Sequence, residues 1–139
     1  MSRITGLLSI TGLSSFRNLG LSDVTPDAVN WADTYALSSP TTSMLQITNI
    51  TDSITLEISW TGQTSNTFAY SINSTAVYSQ TATLTTSPTN ITISNGQYLG
   101  FRLSGGSTSS RTVTIKNVSD NNTVLDTFYI EQTGGGGGG

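Results

Sequence analysis

The chain has 139 residues and a net charge of −3, only 9% of its residues are charged, and 21 serines and 25 threonines fill 46 positions. This length allows one domain with a hydrophobic core. The five cationic residues are scattered, so we expect neither nucleic-acid binding nor attraction to an anionic membrane surface. The absence of cysteine and histidine excludes disulfides, thiolate metal sites and the usual general base of neutral-pH catalysis.

The first residues contain a near repeat, in which ITGLLS at residues 4–9 is followed by ITGLSS at residues 10–15. A helix here would include glycines that cost about 1 kcal/mol each relative to alanine, so we predict an extended arm over residues 1–22. No apolar run reaches the roughly 20 residues of a transmembrane helix, and we expect no membrane span. Because an exposed apolar segment normally marks an interaction site, we predict that the arm binds a partner. The predicted partner-binding residues are Ile4, Leu7, Leu8, Ile10, Leu13 and Phe16.

Residues 25–35 allow two interpretations. Thr25 can cap a helix that starts at Pro26, with Asp27 favourably placed in its first turn. Alternatively, Val29 and Trp31 open the first strand of a sheet. The pattern slightly favours the strand.

From residue 44 onward, short alternating segments are separated by turn residues about every eight to twelve positions, which is typical of an all-β protein. The clearest strand is ITLEISW, whose predicted inner residues are Ile54, Leu56, Ile58 and Trp60. The neighbouring segments add the inner residues Leu45, Ile47, Phe68, Tyr70, Ile72, Ala82 and Leu84. TAVY at residues 75–78 is predicted as a weak short strand, and Pro88 marks a strand end or a sheet edge.

In the last third, Asn95-Gly96 indicates a type I′ turn, and SDNN at residues 119–122 indicates another turn. The predicted inner residues of the last three strands are Leu99, Phe101, Leu103, Val113, Ile115, Val124, Phe128 and Ile130. The sequence therefore predicts an all-β, antiparallel sandwich of about seven strands. The predicted organisation is an arm at 1–22, the sandwich at 23–133 and a polyglycine tail at 134–139.

Residues 93–132 contain a series of short sequence motifs, or phrases: Asn95-Gly96 with Arg102, a Ser/Thr-rich loop, TVTI at 112–115 and LDTF at 125–128. These phrases resemble the C-terminal half of immunoglobulin-like modules in virion proteins of tailed bacteriophages. PDAVNWADT at 26–34 resembles a phrase that precedes such modules, so the resemblance covers roughly residues 26–133. It implies an immunoglobulin-like sandwich and a virion location, but these are structural phrases that do not define one role.

The side chains that carry chemistry are few. A serine or threonine nucleophile lacks a histidine, and the single lysine, Lys116, lies in a strand-like run. Most aspartates lie in turns; SDNN with Asp126 offers oxygen ligands for calcium, but without the spacing of a dedicated calcium loop. We therefore predict no enzyme, no cofactor and no metal site. Trp60 is predicted to be core, whereas Trp31 either packs over one end of the sandwich or is exposed as a sugar-stacking platform.

These observations predict a non-enzymatic structural protein of a phage virion. The expected role is capsid decoration or cement, in which the arm binds capsid or other virion proteins and copies of itself, giving a homo-oligomer in the assembled particle. Two alternatives remain: a tail, baseplate or fibre component, and a carbohydrate-binding adhesin module. We expect the glycine tail to lie against another chain, because ordered polyglycine needs partners for its backbone groups.

Overall fold

A computed structural model describes residues 22–62, 66–105 and 108–133 of the chain. Most of the predicted arm, including all six of its predicted partner-binding residues, and the polyglycine tail lie outside these residues. The described part forms nine strands: β1 (Thr34–Leu37), β2 (Leu45–Gln46), β3 (Ser53–Gly62), β4 (Thr67–Asn73), β5 (Ala82–Thr83), β6 (Thr89–Ser94), β7 (Tyr98–Ser104), β8 (Ser109–Asn117) and β9 (Thr123–Gln132). A short 3-10 helix, Val118–Asp120, joins β8 to β9.

The strands form two sheets that pack as a sandwich. One sheet has five strands in the order β1-β9-β8-β3-β6, and the other has four in the order β2-β7-β4-β5. All pairings are antiparallel except that of β1 with β9, which is parallel. The predicted all-β antiparallel sandwich is therefore confirmed, with nine strands in place of about seven, two of them only two residues long.

Six of the strands follow the immunoglobulin arrangement. In that fold, strands B, E and D are neighbours in one sheet, and strands G, F and C are neighbours in the other. The equivalents of strands B, E and D are β2, β7 and β4. The equivalents of strands G, F and C are β9, β8 and β3. The pair β5 and β6 is inserted in the chain between the equivalents of D and E, and β6 extends the larger sheet beyond β3.

The core lies between the sheets and contains most of the inner residues that alternation predicts, but neither Ala82 nor Val124. In β3, Ile54, Leu56 and Ile58 are at most 2% exposed, and the residues between them are half-buried. Burying each such side chain stabilises the fold by about 1.5–3 kcal/mol. The remaining fully buried large apolar side chains of the core are Trp31, Ile47, Phe68, Ile93, Leu99, Phe101, Leu103, Val113, Ile115, Phe128 and Ile130.

Residues 22–33 are extended chain without a partner strand, so both interpretations of residues 25–35 need correction. The segment is tied to the loop after β2: the Asp27 backbone N–H donates to the Thr48 carbonyl (3.0 Å), and its carboxylate accepts from Thr48 Oγ1 and Asn49 Nδ2. Because these bonds satisfy the backbone and side chain of Asp27 without a helix or a ladder, the first strand starts only at Thr34.

The predicted strand at residues 75–78 is wrong, because residues 74–81 form an irregular loop. Asn73 ends β4 by local bonds: its side chain accepts from the Ser74 N–H and donates to the Val77 carbonyl. Such bonds offer the backbone an alternative to the sheet ladder. The loop then crosses the outer face of β4, where the Ser79 N–H donates to Ser71 Oγ (2.9 Å).

The prediction that Val124 faces inward is also wrong, since this side chain is 52% exposed. Ile115 pairs with Asp126 and Lys116 pairs with Val124, which leaves Leu125 without a partner in a β-bulge. One extra residue reverses the faces of the residues beyond it. Leu125 packs against the core as a result, and Val124 points outward.

The turn at Asn95-Gly96 is present, but it is not of type I′. Gln97 donates its N–H to the Ser94 carbonyl (3.1 Å), and only Gly96 has a positive φ, of 90°. That combination fits a type II turn. Type I′ turns connect strands of one hairpin, whereas this turn carries the chain from β6 in one sheet to β7 in the other.

Candidate functional site

A chain of aromatic side chains runs through the core and has a tryptophan at each end. Trp31 contacts Phe101 (ring centroids 5.9 Å apart), Phe101 stacks on Phe68 (5.9 Å), and Phe68 meets Trp60 edge-on (5.2 Å). Phe128 joins the chain beside Phe101, at 5.5 Å. These distances lie in the range in which aromatic pairs attract each other beyond simple burial. The two ends of this chain differ in their surroundings.

The Trp31 end is sealed. Trp31 is 1% exposed, its indole N–H donates to the Ser43 carbonyl (3.0 Å), and its backbone N–H donates to the Asp126 carboxylate (2.7 Å). Of the two positions expected for Trp31, the packed one is therefore correct. An exposed sugar-stacking platform at Trp31 is ruled out, because no face of the ring is open to a ligand.

The Trp60 end opens into a cavity of about 330 Å³. Trp60 is half-buried there and packs against the core, as its inward position in β3 predicts. The cavity lies where the end of β3, the start of β4, the residues after β5 and the start of β8 come together. Its lining residues are Trp60, Asn66, Thr67, Phe68, Thr83, Leu84, Thr85 and Arg111.

Arg111 in β8 is the charged member of this lining, and it is only 2% exposed. Its Nη1 donates to Ser109 Oγ (2.9 Å) and to the Ser110 carbonyl (3.2 Å), and its Nη2 donates to the Asn66 carbonyl (3.5 Å). Its Nε is buried without a hydrogen-bond partner. The guanidinium also lies 5.9 Å from the centre of the Phe68 ring.

Among the described residues, no side-chain carboxylate pairs with Arg111. All eight acidic residues belong to the described part of the chain, yet the contacts of Arg111 there are to a hydroxyl, two carbonyls and an aromatic ring. Burial alone lowers the pKa of the guanidinium from its ordinary value. The site is thus a buried cation at the wall of a cavity.

The site was not predicted from the sequence, in which Arg111 counted only as one of five scattered cations. A signal was present in the segment RTVTI, where Arg111 has the same parity as Val113 and Ile115, both of them predicted and observed to face inward. Alternation therefore also places Arg111 inside. The cavity itself has no such signal, because its walls come from four separated parts of the chain.

The two aspartates considered for calcium have partners within the chain. Asp120 accepts from the Thr25 hydroxyl (3.3 Å), and Asp126 accepts from the Trp31 N–H. These bonds connect the 22–33 segment to the β8–β9 region. Within the described ranges, no three acidic side chains come together as a possible metal site. Those ranges also contain no helix long and apolar enough to cross a membrane.

Strand β6 is the longest edge strand of the sandwich among the described residues. It pairs with β3 in continuous register from Thr89 to Ser94, and no described strand pairs with its other side. The other edges, β1, β2 and β5, are four, two and two residues long. The sequence of β6, TNITIS, contains no charge and no proline. Natural edge strands usually carry such residues, which prevent pairing with another chain.

Comparison of the sequence with protein-family models gives no match, and comparison with curated protein sequences gives no significant match either. The class of protein is therefore defined by the fold, an all-β antiparallel sandwich.

Proposed function

We propose that this chain is a non-enzymatic structural protein of a phage virion that decorates or cements the capsid. The location rests on the resemblance of residues 26–133 to immunoglobulin-like virion modules, which implied the kind of sandwich that the chain adopts. A tail, baseplate or fibre location is the alternative within the same class of protein.

The observation that carries the cementing role is the open β6 edge, together with the apolar sequence of the arm. A strand edge offers unpaired backbone N–H and C=O groups, and an extended segment from another copy can bond to them and continue the sheet. In the arm, Ile4, Leu8 and Ile10 alternate as one face of a strand would. In β6, Ile91 and Ile93 are buried on the inner face, so an added strand with apolar inner residues would extend the core.

This mode of binding suits a chain with few charges. Backbone hydrogen bonds and buried apolar area depend little on salt, whereas exposed ion pairs are screened by it. We therefore expect assembly through the arm to persist at high ionic strength.

Deletion of residues 1–21 tests the proposal. The deletion removes none of the described residues and leaves all nine strands intact, so the shortened chain should fold, with a thermal transition close to that of the full chain. It should lose self-association, measured by analytical ultracentrifugation, and lose binding to virus particles, measured by co-sedimentation. Unchanged self-association and unchanged particle binding of the shortened chain would contradict the proposal.

A pair of substitutions tests the edge itself. Thr92→Lys places a charge on the exposed face of β6, and Thr112→Lys places the same charge on the exposed face of the central strand β8. We expect Thr92→Lys to weaken self-association by about tenfold, because edge lysines oppose strand addition. Thr112→Lys should leave it unchanged. An equal effect of both substitutions would show that the β6 edge is not the binding surface.

A further inference from the structure

The cavity beside Arg111 has features that the structural role does not use. A guanidinium has five N–H donors. Arg111 uses three of them, all in hydrogen bonds to neutral oxygen atoms. One of the unused donors is the buried Nε–H. A buried charge without a counter-ion destabilises a fold, because neutral partners replace its hydration only partly. An anionic ligand would supply the missing counter-ion.

The other walls of the cavity indicate the chemistry of the rest of the ligand, outside its anionic group. Half-buried Trp60 provides flat apolar surface, and the exposed residues Thr67, Thr83 and Thr85 provide hydroxyl groups. A volume of about 330 Å³ lies at the lower end of the range of about 300–1,000 Å³ that is usual for small-ligand sites. Sugar rings combine apolar C–H faces with hydroxyl groups, so these walls fit a single sugar ring.

We infer that this cavity binds an acidic sugar residue, with its carboxylate paired to Arg111 and its ring placed against Trp60 among the threonine hydroxyls. The guanidinium fork matches the geometry of a carboxylate and can form two parallel hydrogen bonds with it. The inference does not depend on the cementing role, since the cavity and the β6 edge use different residues.

The charge of the site favours a monoanion. Arg111 is the only cation that lines the cavity among the described residues, and it can neutralise one negative charge. A phosphate monoester carries about 1.5 to 2 negative charges at neutral pH, which would leave charge uncompensated next to apolar walls. A carboxylate matches both the charge and the planar shape of the guanidinium.

Titration of the ¹⁵N-labelled full chain followed by NMR tests the inference directly. The probes are D-glucuronate, its neutral counterpart D-glucose, and acetate, which has the carboxylate without the ring. We expect D-glucuronate to shift the Arg111 Nε–H and Trp60 indole N–H signals and to bind about tenfold or more tightly than either of the other two. The inference is overturned if D-glucuronate shifts neither signal, or if D-glucose or acetate binds equally well.

Two substitutions of the arginines give a matched comparison. Arg111→Lys keeps the charge but removes the fork, and it should weaken D-glucuronate binding by about tenfold. Arg102→Lys is the control, because Arg102 also lies over an aromatic ring, 4.4 Å from the centre of Tyr78, but does not line the cavity. Equal affinity of Arg111→Lys and the unmodified chain would contradict a role for the guanidinium.

Thr85→Val provides a test that does not touch the buried arginine. The substitution keeps the shape of an exposed side chain and removes only its hydroxyl. We expect affinity for D-glucuronate to fall severalfold while affinity for acetate stays the same. An acidic oligosaccharide titrated in parallel distinguishes the source of the sugar: tighter binding than the monosaccharide indicates a glycan chain, and equal or weaker binding overturns recognition of a glycan and leaves the free sugar acid as the ligand.

Discussion

The two tryptophans lie at the ends of one chain of aromatic side chains, and their surroundings are opposite. Trp31 is closed off by contacts that include Phe101 and Phe128, and both of its N–H groups have acceptors, the Ser43 carbonyl and the Asp126 carboxylate. Trp60 is half-buried beside a cavity, next to an arginine whose Nε has none. One core thus has a closed end, where both N–H groups of Trp31 are bonded, and an end with an unpaired buried donor, which is where we infer binding.

Replacing each tryptophan with alanine should give the largest difference in the free energy of unfolding between the two ends. Trp31→Ala removes a fully buried ring and two aromatic contacts, so we expect the free energy of unfolding to fall by about 3–5 kcal/mol. Trp60→Ala removes a ring that already lines a cavity, and its cost should be about half of that. Urea unfolding followed by circular dichroism measures both values. A cost for Trp60→Ala equal to or above that for Trp31→Ala would remove the proposed difference between the two ends.

Two glycines with positive φ, one paired with Arg111 and one in the turn between β6 and β7, compare how tightly the backbone is held at the two places. Gly62 pairs with Arg111, has a φ of +119°, and a side chain there would collide with the Ser110 carbonyl oxygen. Gly96 has a φ of +90°, and a side chain there would meet open space. We expect Gly62→Ala to cost about 2–3 kcal/mol and Gly96→Ala to cost about 1 kcal/mol, because only the first adds a clash to backbone strain. Thermal unfolding of both variants measures the difference; equal losses would show that the space beside Gly62 is not restricted.

Tyr78 gives a smaller test of the rule that buried polar atoms need partners. Its hydroxyl is buried without a hydrogen-bond partner, in contrast to the Trp31 indole. Burial raises the pKa of the phenol, and nearby Arg102 lowers it in part. Since the folded pKa lies above the unfolded value of about 10, the neutral phenol contributes stability that is lost as the pH rises through the folded pKa.

We therefore expect Tyr78→Phe to have almost unchanged stability at pH 7 and a shallower loss of stability above about pH 10. The measurement is urea unfolding at a series of pH values from 8 to about 11. The substitution also removes an unpaired buried hydroxyl, which costs little or nothing to lose. Parallel pH profiles of the variant and the unmodified chain would contradict the assigned environment of Tyr78.

Much of the fold can be predicted from alternation, because a strand that is buried on one face has apolar residues at every second position. Ile54, Leu56 and Ile58 in β3 and Val113 with Ile115 in β8 face inward as predicted. The prediction fails where the period is interrupted. The bulge at Leu125 turns Val124 outward and Leu125 toward the core. No turn residue or proline in the sequence indicates a bulge at this position.

Contacts between distant parts of the chain account for the other differences. Residues 25–35 fit both a helix and a strand locally, but bonds from Asp27 to Thr48 and Asn49 hold the part before Thr34 as an extended chain. The candidate site also depends on contacts between distant parts of the chain. Alternation places Arg111 inside the sandwich, yet its lack of a counter-ion and its position beside Trp60 depend on four separate segments.

The central claim is that this sandwich joins other virion subunits through its arm. Cryo-electron microscopy of the virus particle tests it most directly, by locating the sandwich and tracing residues 4–16. The account predicts copies of the sandwich on the capsid, with this segment added to the β6 edge of a neighbouring subunit. Particles that lack the protein, or particles in which the segment contacts no other subunit and β6 is unpaired, would contradict it.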